Sequence, residues 1–478
     1  MASGRAEVTG RIIGLETEYG INLDGGELGP EQVARELFQP VVEWGRSTSV
    51  FTSSGGRLYL DVGSHPEFAT PECACLSDLV AQDVAGQRIM AGLAQAATAR
   101  LAASGQAGRV HLIKNNADSA GSSFGCHENY CVPRAKAAQC AELLIPFLVS
   151  RQILVGAGHV RVDPVGARLT LSARSDHVFE ATSSATTRAR PMINTRDEPH
   201  ADGSIWRRLH VIVGDSSICQ ATTWLKVGST DLVLRAIEQG LASGHLELDQ
   251  PVQALRQIAH GYLDQPAVAL RAGGTVTAPQ LQQAYFELAE KVADSEADLA
   301  LLDLWRRVLE GWQSGDFTAV AGEIDWVIKD RLIRRYQERT GASLLDPRVA
   351  RLDLAYHDIG TEGLAGRLEA SGGMTQVVAS QRAAAAVLAP PAGTRAQVRG
   401  AFVDAARAAG QDYVADWTNL KLAGPGGGQA VTVLDPYGQD AEPAWALVEQ
   451  LGLQARAGQV LALDGIMAQQ AQTTERTD

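Results

Sequence analysis

Residues 55–67 read GGRLYLDVGSHPE, and this stretch determines how the rest of the chain can be interpreted. As a β-strand it alternates between two faces, because successive side chains of a strand point to opposite sides. The polar face carries Arg57, Tyr59 and Asp61. The apolar face carries Leu58, Leu60 and Val62. Gly63 then ends the strand, and Pro66 rigidifies the turn that leads to Glu67. The stretch indicates either a site that combines a cation, a phenol and two acids, or an amphipathic strand with a solvated face.

A second alternating stretch lies near the N-terminus, at residues 11–21. As a strand it places Glu16 and Glu18 on one face and apolar side chains on the other. Two like charges on one strand face repel each other unless water or a cation compensates them. The pair therefore indicates either a solvated face or a cation-binding face.

The composition is typical of a soluble globular protein, with 45% apolar and 20% charged residues over 478 positions. The formal net charge of −13 argues against non-specific binding to nucleic acid or anionic membranes, so we expect neither as a partner. No apolar run reaches the roughly 18 residues that a membrane span needs, and no signal peptide is evident. The six cysteines are sparse for this length, which favours reduced thiols and a cytoplasmic location.

The pattern between the two strands and beyond them predicts regular elements. We expect a helix over 30–43 that Gly45 closes, a helix over 76–103 and a strand over 110–113. A polar loop follows at 114–130.

The loop contains two motifs that suggest nucleophiles. Residues 121–125 match G-x-S-x-G, and Cys126 is followed by His127. A structural role is favoured for both, because the strand–turn–helix context of a serine nucleophile is not evident and cysteines are commonly buried.

The second half of the chain is predicted from periodicity and composition. Residues 232–341 are helical in pattern, a smaller unit begins at about residue 405, and the tail after about residue 467 is expected to be disordered. Core positions are predicted for three tryptophans: Trp305, Trp312 and Trp326.

Standard nucleotide-binding motifs are absent from the sequence. There is no Gly-Lys dipeptide and therefore no Walker A loop, and the glycine clusters do not fit G-x-G-x-x-G. If ATP binds, it must bind on a sheet through a metal held by carboxylates. Arg188, Arg190 and Arg196 in the polar segment 183–202 either bind phosphate or carboxylate groups or are surface charges.

Seven segments in collinear order resemble the Pup ligase family, which attaches the small protein Pup to lysines of target proteins. They are IIGLETEYGI, GGRLYLDVGSHPEFATPEC, KNNADSAGSSFGCHENY, SSATTRARPMINTRDEPHAD, RRLHVIVGD, EIDWVIK and LDLAYHDI. The resemblance implies an α+β fold with a glutamine synthetase-like curved antiparallel sheet flanked by helices. It also implies a catalytic domain over 1–404 and a small C-terminal domain over 405–478 that contributes to the ATP site.

The implied activity is an ATP- and Mg²⁺-dependent ligation. The C-terminal glutamate γ-carboxylate of Pup would be phosphorylated and then attacked by a lysine ε-amine of a target protein, so Pup and lysine-bearing proteins are the implied partners. By position in the family's motifs, the implied residues are Asp61 as catalytic base, Arg57, Thr70 and Trp417 as ATP contacts, and Glu16, Tyr59 and Glu67 as Mg²⁺ ligands. Hard oxygen ligands are what Mg²⁺ requires, and a lysine that arrives as an ammonium needs a base. Five further site residues are conceivable: Glu18, Glu128, Arg188, Arg196 and His210.

Two alternatives accompany this interpretation. The sister family, the Pup deamidase and depupylase, shares the fold and the aspartate but catalyses hydrolysis rather than ligation. It carries a long insertion between its first glutamate-containing strand and its Arg-Leu-Tyr strand, where this chain has only the 38 residues 19–56 between Glu18 and Arg57. An idle relative that only binds Pup is the other alternative. The full set of implied catalytic residues argues against it.

Overall fold

The computed structural model describes residues 10–61, 63–118, 123–185, 190–423, 428–453 and 461–472, which form 17 strands and 15 α-helices. In chain order the strands are β1 (Ile13–Glu18), β2 (Gly20–Asp24), β3 (Ser49–Phe51), β4 (Arg57–Leu60), β5 (Pro66–Ala69), β6 (Arg109–Ile113), β7 (Cys126–Pro133), β8 (His159–Asp163), β9 (Gly166–Thr170), β10 (Glu180–Ser183), β11 (Pro191–Asn194), β12 (Trp206–Val211), β13 (Ala267–Ala269), β14 (Thr275–Thr277), β15 (Tyr413–Ala415), β16 (Asn419–Leu422) and β17 (Ala430–Thr432). The helices are α1 (Pro30–Gly45), α2 (Leu76–Ala103), α3 (Ala137–Ser150), α4 (Gln152–Val155), α5 (Gln220–Glu238), α6 (Pro251–Gly261), α7 (Ala278–Glu290), α8 (Glu296–Ser314), α9 (Asp325–Thr340), α10 (Pro347–Tyr356), α11 (Leu364–Ala370), α12 (Ser380–Ala385), α13 (Ala396–Ala408), α14 (Glu442–Gly452) and α15 (Ala462–Gln472).

Eight strands form the central sheet, in the order β10-β11-β12-β7-β1-β5-β4-β3. All neighbours in it are antiparallel except β10 and β11, which are parallel. The predicted α+β fold, with a largely antiparallel sheet and flanking helices, is confirmed.

The two faces of the central sheet differ, as the alternation along its strands predicts. Ile13 and Leu15 of β1 are buried in a core that also contains side chains of α3 and α5. A second core joins Leu58 of β4 and Phe68 of β5 to α1 and α2. With its apolar side chains directed into these cores, the sheet presents its polar side chains on the opposite face.

The helices follow the predicted pattern with one interruption. Helix α2 spans the predicted residues 76–103, and strand β6 begins one residue before the predicted one. The core positions of the three tryptophans are confirmed: Trp305 and Trp326 are buried, and Trp312 packs against the same core. The all-helical prediction for 232–341 is wrong at the hairpin β13–β14, which suits the β-branched residues of β14. Among the described helices, none is long and apolar enough to cross a bilayer.

Three local predictions near the sheet are wrong. The stretch 11–21 is two strands, because the chain turns at Tyr19 and β2 pairs with β6 in a separate sheet. Residues 126–130 belong to a strand rather than a loop, because β7 is paired on both sides, with β1 and β12. Helix α1 continues to Gly45, and Arg46 ends it in a left-handed conformation with φ of 55°.

The C-terminal part forms a small unit with its own core. Helices α13 and α14 and the three-stranded sheet β15–β16–β17 enclose side chains that include Val398, Phe402 and Leu420. The predicted boundary between residues 404 and 405 falls inside α13, so this core favours a unit that begins with α13, and the division into two domains stays a prediction. The predicted disorder after residue 467 is wrong up to residue 472, because α15 packs against α1 and α2.

Candidate active site

A tight turn at residues 61–65 joins β4 to β5 and positions an acidic side chain on either side of it. Asp61 O accepts a hydrogen bond from Ser64 N–H, and Asp61 N–H donates to His65 O, both at 3.0 Å. Strand β4 ends at Leu60, directly before the residue whose carbonyl accepts the turn bond from Ser64, so the prediction that the strand continues through Asp61 is wrong. The predicted strand position of residue 62 lies outside the described residues.

Glu18, Asp61 and Glu67 form what we call the carboxylate cluster. One oxygen of each side chain lies within 4.8 Å of the others. Glu18 of β1 pairs with Glu67 of β5, and Glu67 pairs with Tyr59 of β4, whose hydroxyl donates a hydrogen bond to the Glu67 carboxylate. The Glu18 side chain is 12% exposed and Glu67 is 3% exposed, whereas Asp61 is open to solvent. The cluster therefore has two enclosed carboxylates and one accessible carboxylate.

The electrostatics of the carboxylate cluster favour a bound cation. Burial, together with the charges of Glu16 and Glu18, raises the pKa of Glu67 well above its ordinary value. Burial also opposes ionisation of Glu18, but the nearby His65 imidazole and a hydrogen bond from Gly125 N–H outweigh it and lower the pKa of Glu18 to about 2. Oxygen donors alone are the set that Mg²⁺ prefers, so the donors present fit this ion.

Glu16, His127 and His210 form a second group, the histidine cluster. Glu16 Oε2 lies 3.3 Å from His127 Nδ1 and 3.8 Å from His210 Nε2. Burial disfavours ionisation of Glu16, but the hydrogen bond with His127 and the charge of Arg208 outweigh it and lower the pKa of Glu16 below its ordinary value. Burial lowers the pKa of His210 to about 3, so this imidazole is neutral.

An open cleft of about 600 Å³, the first cleft, lies at the N-terminal end of β1. Its lining includes Glu16, Thr70, His200, Arg208 and Trp417. It thus brings together two of the predicted ATP contacts, one from the end of β5 and one from the small C-terminal unit. The site is bounded by an aromatic ring, a hydroxyl and a guanidinium, which are groups that suit a nucleotide.

Arg57, the third predicted ATP contact, lies on the sheet rather than in the lining of the first cleft. Its Nε donates to Ser49 Oγ at 3.0 Å, and its guanidinium stacks on the Tyr59 ring at 4.4 Å. In the register Ala69 of β5 lies between Arg57 and Glu16. Because directly paired side chains share a face, the small Ala69 leaves room there between a cation and a carboxylate.

A buried ion-pair group, the Glu72 clamp, ties the small C-terminal unit to the sheet. Glu72 accepts hydrogen bonds from Arg395 Nε at 2.7 Å and from Arg399 Nη1 at 3.1 Å. Arg399 also donates to Gly55 O at 2.9 Å and to Trp417 O at 3.1 Å. Burial raises the pKa of Glu72, but the two guanidinium groups outweigh it and lower the pKa to about 2. The clamp therefore fixes Trp417 relative to the turn that precedes β4.

A larger second cleft of about 1660 Å³ lies past the C-terminal end of β1, where its lining includes Gly20, Asp118 and Phe124. The Phe124 ring is 4.9 Å from the His65 ring, edge to face, and His65 Nδ1 is 3.7 Å from Glu18 Oε2. Strand β1 thus runs from the first cleft to the second, with the carboxylates of both clusters along it.

The family model described as Pup-ligase protein matches residues 11–421. The chain belongs to the Pup-ligase family. It is 49% identical over 454 residues to the Pup–protein ligase of Sanguibacter keddieii, a match that covers 93% of this chain and 100% of that protein. It is 50% identical over 455 residues to the Pup–protein ligase of Xylanimonas cellulosilytica, which covers 92% of this chain and 99% of that protein.

Two solved structures of Pup-ligase family members are similar to this fold. The crystal structure of the complex between Pup and its ligase PafA matches this chain with 40% sequence identity and a TM-score of 0.87, and the match covers 93% of each chain. The structure of PafA with ADP is also 40% identical, with a TM-score of 0.81 and coverage of 95% of this chain and 98% of that one. The family indicated by the sequence motifs is thereby confirmed.

The further site residues that the sequence suggested lie in different parts of the structure. His210 and Glu18 lie in the two clusters. Glu128 is on the opposite face of β7, fully buried in an ion pair with Arg151, and so belongs to the core. Arg196 is on the surface, where it pairs with Glu198.

Other candidates are structural or cannot be placed. Cys126 is buried, as the structural interpretation predicted, and its sulfur lies 3.4 Å from Lys226 Nζ. Arg188 and the first two residues of the G-x-S-x-G match lie outside the described residues, and the serine of that match, Ser123, is buried and accepts a hydrogen bond from Arg174 Nη1 at 2.7 Å.

Sequence analysis did not identify three residues as part of the site: Asn129, Arg208 and Glu72. Asn129 Nδ2 donates to Glu16 Oε1 at 3.0 Å, and Arg208 Nη1 lies 3.4 Å from the same oxygen. Alternation along β7 and β12, strands that the family motifs contain, places these side chains on the polar face. Reading HENY and RRLHV as paired strands is the signal that could have found the first two.

Proposed function

We propose that the chain is an ATP-dependent ligase that joins the C-terminal glutamate γ-carboxylate of Pup to lysine ε-amines of target proteins. The observation that carries the proposal is the position of the carboxylate cluster between two clefts, one suited to a nucleotide and one open enough for a polypeptide. The relatives named above are ligases, and a depupylase is not favoured. We place the activity in the cytoplasm because the sparse cysteines of the sequence indicate reduced thiols.

Mg²⁺ is the metal that we assign to the carboxylate cluster. Of the three predicted ligands, Glu67 lies in this cluster, Tyr59 donates a hydrogen bond to Glu67, and Glu16 lies in the adjacent histidine cluster. Bound Mg²⁺ would neutralise phosphate oxygens as the γ-phosphoryl group moves. Glu18 and Glu67 would hold it through carboxylate oxygens, and the Tyr59 hydroxyl orients Glu67.

The first half of the proposed reaction transfers the γ-phosphoryl group of ATP to the Pup γ-carboxylate, giving ADP and a γ-glutamyl phosphate. Arg57 is positioned on the sheet to bind transferring oxygens in its guanidinium fork. The Thr70 hydroxyl accepts from Leu15 N–H at 3.0 Å and keeps its own hydrogen to donate to a phosphate oxygen. Trp417 would pack against the base of the nucleotide.

The second half is attack of a lysine amine on the acyl phosphate, which forms the isopeptide bond and releases phosphate. A lysine has an ordinary pKa of about 10.4 and arrives protonated. Asp61 is the exposed member of the carboxylate cluster. Its N–H donates to His65 O, and the His65 ring packs against Phe124, which lines the second cleft. We assign it the role of accepting the lysine proton as the amine attacks.

The test of the function is an incubation of the chain with Pup, ATP, Mg²⁺ and a lysine-bearing target, followed by intact-mass measurement. The proposal predicts a target that is heavier by the mass of Pup minus one water. Purified Pup–target conjugate is incubated in parallel. Release of Pup from it without ligation in the first reaction would assign the chain to the depupylases instead, and ATP binding without either reaction would favour an idle relative.

Removal of divalent metal should abolish ligation without unfolding the chain. The Glu72 clamp and the cores do not involve the two clusters, so the circular-dichroism spectrum should stay unchanged when EDTA is added. Conjugate formation should return when Mg²⁺ is restored in excess. Ligation that continues at the original rate in EDTA would contradict the assignment of Mg²⁺.

Trp417→Ala should weaken ADP binding by about 1–3 kcal/mol, the usual loss when a base loses an aromatic stacking partner. Isothermal titration with ADP measures this effect. Trp445→Ala is the matched control, because Trp445 lies on α14 of the same small unit and is 41% exposed outside the first cleft. Equal affinities for ADP in both variants would remove Trp417 from the nucleotide site.

A further inference from the structure

Phe124 is a buried aromatic residue outside the apolar cores. It is 6% exposed, yet none of the four clusters of buried apolar side chains in the described part of the chain includes it. Large apolar side chains are usually buried because they pack into such a core. The burial of Phe124 therefore has another origin, and this residue lines the second cleft.

The next residue in the chain joins Phe124 to the carboxylate cluster. Gly125 N–H donates a hydrogen bond to Glu18 Oε2 at 2.9 Å, and Glu18 N–H donates to Gly125 O at 3.0 Å. The Phe124 ring lies 4.9 Å from the ring of His65, the residue that follows the turn after Asp61. Phe124 thus lies at the end of the second cleft that meets the carboxylate cluster.

The position of the Phe124 ring is supported by a glycine of β2. A Cβ atom at position 20 would lie 3.2 Å from the ring, which is closer than an ordinary carbon–carbon contact. Because Gly20 has no side chain, the ring can pack directly on the main chain there.

The main chain of Phe124 is fixed by hydrogen bonds on both sides of its peptide unit. Its N–H donates to Asn116 O at 3.2 Å, and its carbonyl accepts from Asn116 Nδ2 at 3.0 Å and from Arg174 Nη1 at 3.2 Å. Arg174 is 3% exposed and also donates to Ile212 O at 3.2 Å. Side chains held by such a network keep one orientation, as residues of a preorganised site do.

An acyl phosphate formed at the carboxylate cluster can react with two nucleophiles. Attack by the lysine amine breaks the bond between the acyl carbon and the phosphate oxygen, forms a C–N bond and passes one amine proton to Asp61. Attack by water breaks the same bond but forms a C–O bond, which returns the free γ-carboxylate and phosphate. The second reaction consumes ATP without ligation. Exclusion of water from the site protects such a reactive intermediate from hydrolysis.

We propose that the Phe124 ring, packed between Gly20 and His65, excludes water from the acyl phosphate and so favours the lysine amine as the attacking group. The ring offers water no hydrogen-bond partner beside the carboxylate cluster, where the other neighbouring side chains are polar. Phe124 is thereby a residue that determines specificity for the nucleophile. The inference rests on the proposed function, since it concerns the same intermediate.

The test measures phosphate and conjugate in one reaction of the full chain with Pup, ATP, Mg²⁺ and a lysine-bearing target. The unmodified chain should release little more phosphate than conjugate. Phe124→Ala should raise the ratio of phosphate to conjugate by roughly tenfold, a usual size for discrimination by one apolar contact. Phe124→Leu keeps a bulky apolar side chain and should restore most of the coupling. Because the readout is a ratio, it does not depend on the fraction of the variant that is folded.

Phe179→Ala is the matched control, because Phe179 is 56% exposed and lines neither cleft. Its ratio of phosphate to conjugate should equal that of the unmodified chain. An unchanged ratio in Phe124→Ala would overturn the inference. So would an equal increase in Phe179→Ala, or a ratio in Phe124→Leu as high as in Phe124→Ala.

Failure of the inference and failure of the proposed function give different results. An unmodified chain that forms no conjugate would contradict the proposed ligase and, with it, the inference. An unmodified chain that forms conjugate, together with a Phe124→Ala variant that still releases little more phosphate than conjugate, would disprove only the exclusion of water by Phe124.

Discussion

Asp61→Asn is expected to slow isopeptide formation by about 10²–10⁴-fold, the usual contribution of a general base. The substitution keeps the shape of the side chain and removes its ability to accept the lysine proton. ADP affinity should be unchanged, because Asp61 lies at the turn between β4 and β5 and is not part of the first cleft. The rate of conjugate formation at saturating Pup, ATP and Mg²⁺ measures the effect.

An assay with hydroxylamine in place of the lysine nucleophile distinguishes a role of Asp61 as the base from a role as a metal ligand. Hydroxylamine is uncharged at neutral pH and needs no base, so Asp61→Asn should still form Pup γ-glutamyl hydroxamate from ATP and Mg²⁺. Loss of the hydroxamate as well would make Asp61 a residue of the phosphoryl-transfer step. Asp24→Asn removes another exposed carboxylate, at the end of β2, and should leave both rates unchanged. Near-normal isopeptide formation by Asp61→Asn would exclude Asp61 as the base.

Glu72→Ala is expected to lower the apparent free energy of unfolding by about 3–5 kcal/mol, the usual cost of breaking a buried ion pair by removing one partner. Glu72, Arg395 and Arg399 are 7%, 3% and 2% exposed, so the substitution leaves two buried guanidinium groups without their carboxylate. ADP binding should weaken as well, since Arg399 holds the main chain of Trp417. Urea denaturation and isothermal titration with ADP measure the two effects.

Asp412→Ala is the control for the clamp, because it breaks an ion pair with Arg46 whose side chains are 66% and 82% exposed. Exposed pairs are usually worth less than about 1 kcal/mol, so the urea midpoint should hardly move. Equal losses of stability in Glu72→Ala and Asp412→Ala would show that the clamp does not tie the small unit to the sheet.

The clamp also predicts a specific pH dependence. The pKa of Glu72 is lowered from an ordinary 4.5 to about 2 in the folded chain. A lowered folded-state pKa adds stability above pH 4.5 that is lost as the pH falls toward 2. The difference in stability between the unmodified chain and Glu72→Gln should therefore be full at pH 5 and above, and it should narrow between pH 4.5 and 2. A difference that stays constant over this range would contradict the assigned ion pair.

Local alternation was sufficient to predict part of the site. It placed Glu16 and Glu18 on one face of β1 and Arg57 beside Tyr59 on β4, and the structure has them so. Helix α2 was predicted to its ends because its apolar pattern is long. These features depend on neighbours in the chain, which sequence patterns describe directly.

The partners of these residues depend on strand register, which alternation does not specify. His127 and His210 meet Glu16 only because β7 lies between β1 and β12. Glu128 was misassigned for the same reason, since it is adjacent to His127 in sequence but points to the opposite face, toward Arg151. The face of a residue could be predicted only after its segment was recognised as a strand.

The Glu72 clamp illustrates a second limit of prediction from the sequence, which concerns contacts between residues far apart in the chain. Glu72 is 323 residues from Arg395 in the chain, and the three charged side chains of the clamp (Glu72, Arg395 and Arg399) are all buried. Buried ion pairs across such a separation have no local signature, because each member looks like ordinary surface charge in the sequence. The small C-terminal unit was therefore recognised without the contact that holds it in place.

The central claim is that the Pup γ-carboxylate is activated by phosphoryl transfer at the carboxylate cluster before a lysine amine attacks it. The most direct test labels the terminal carboxylates of Pup with ¹⁸O and analyses the phosphate that the ligation releases. The account predicts one ¹⁸O atom in each phosphate formed with a conjugate, because the carboxylate oxygen leaves with the phosphoryl group. Conjugate formation that releases only unlabelled phosphate, or AMP and pyrophosphate, would contradict it.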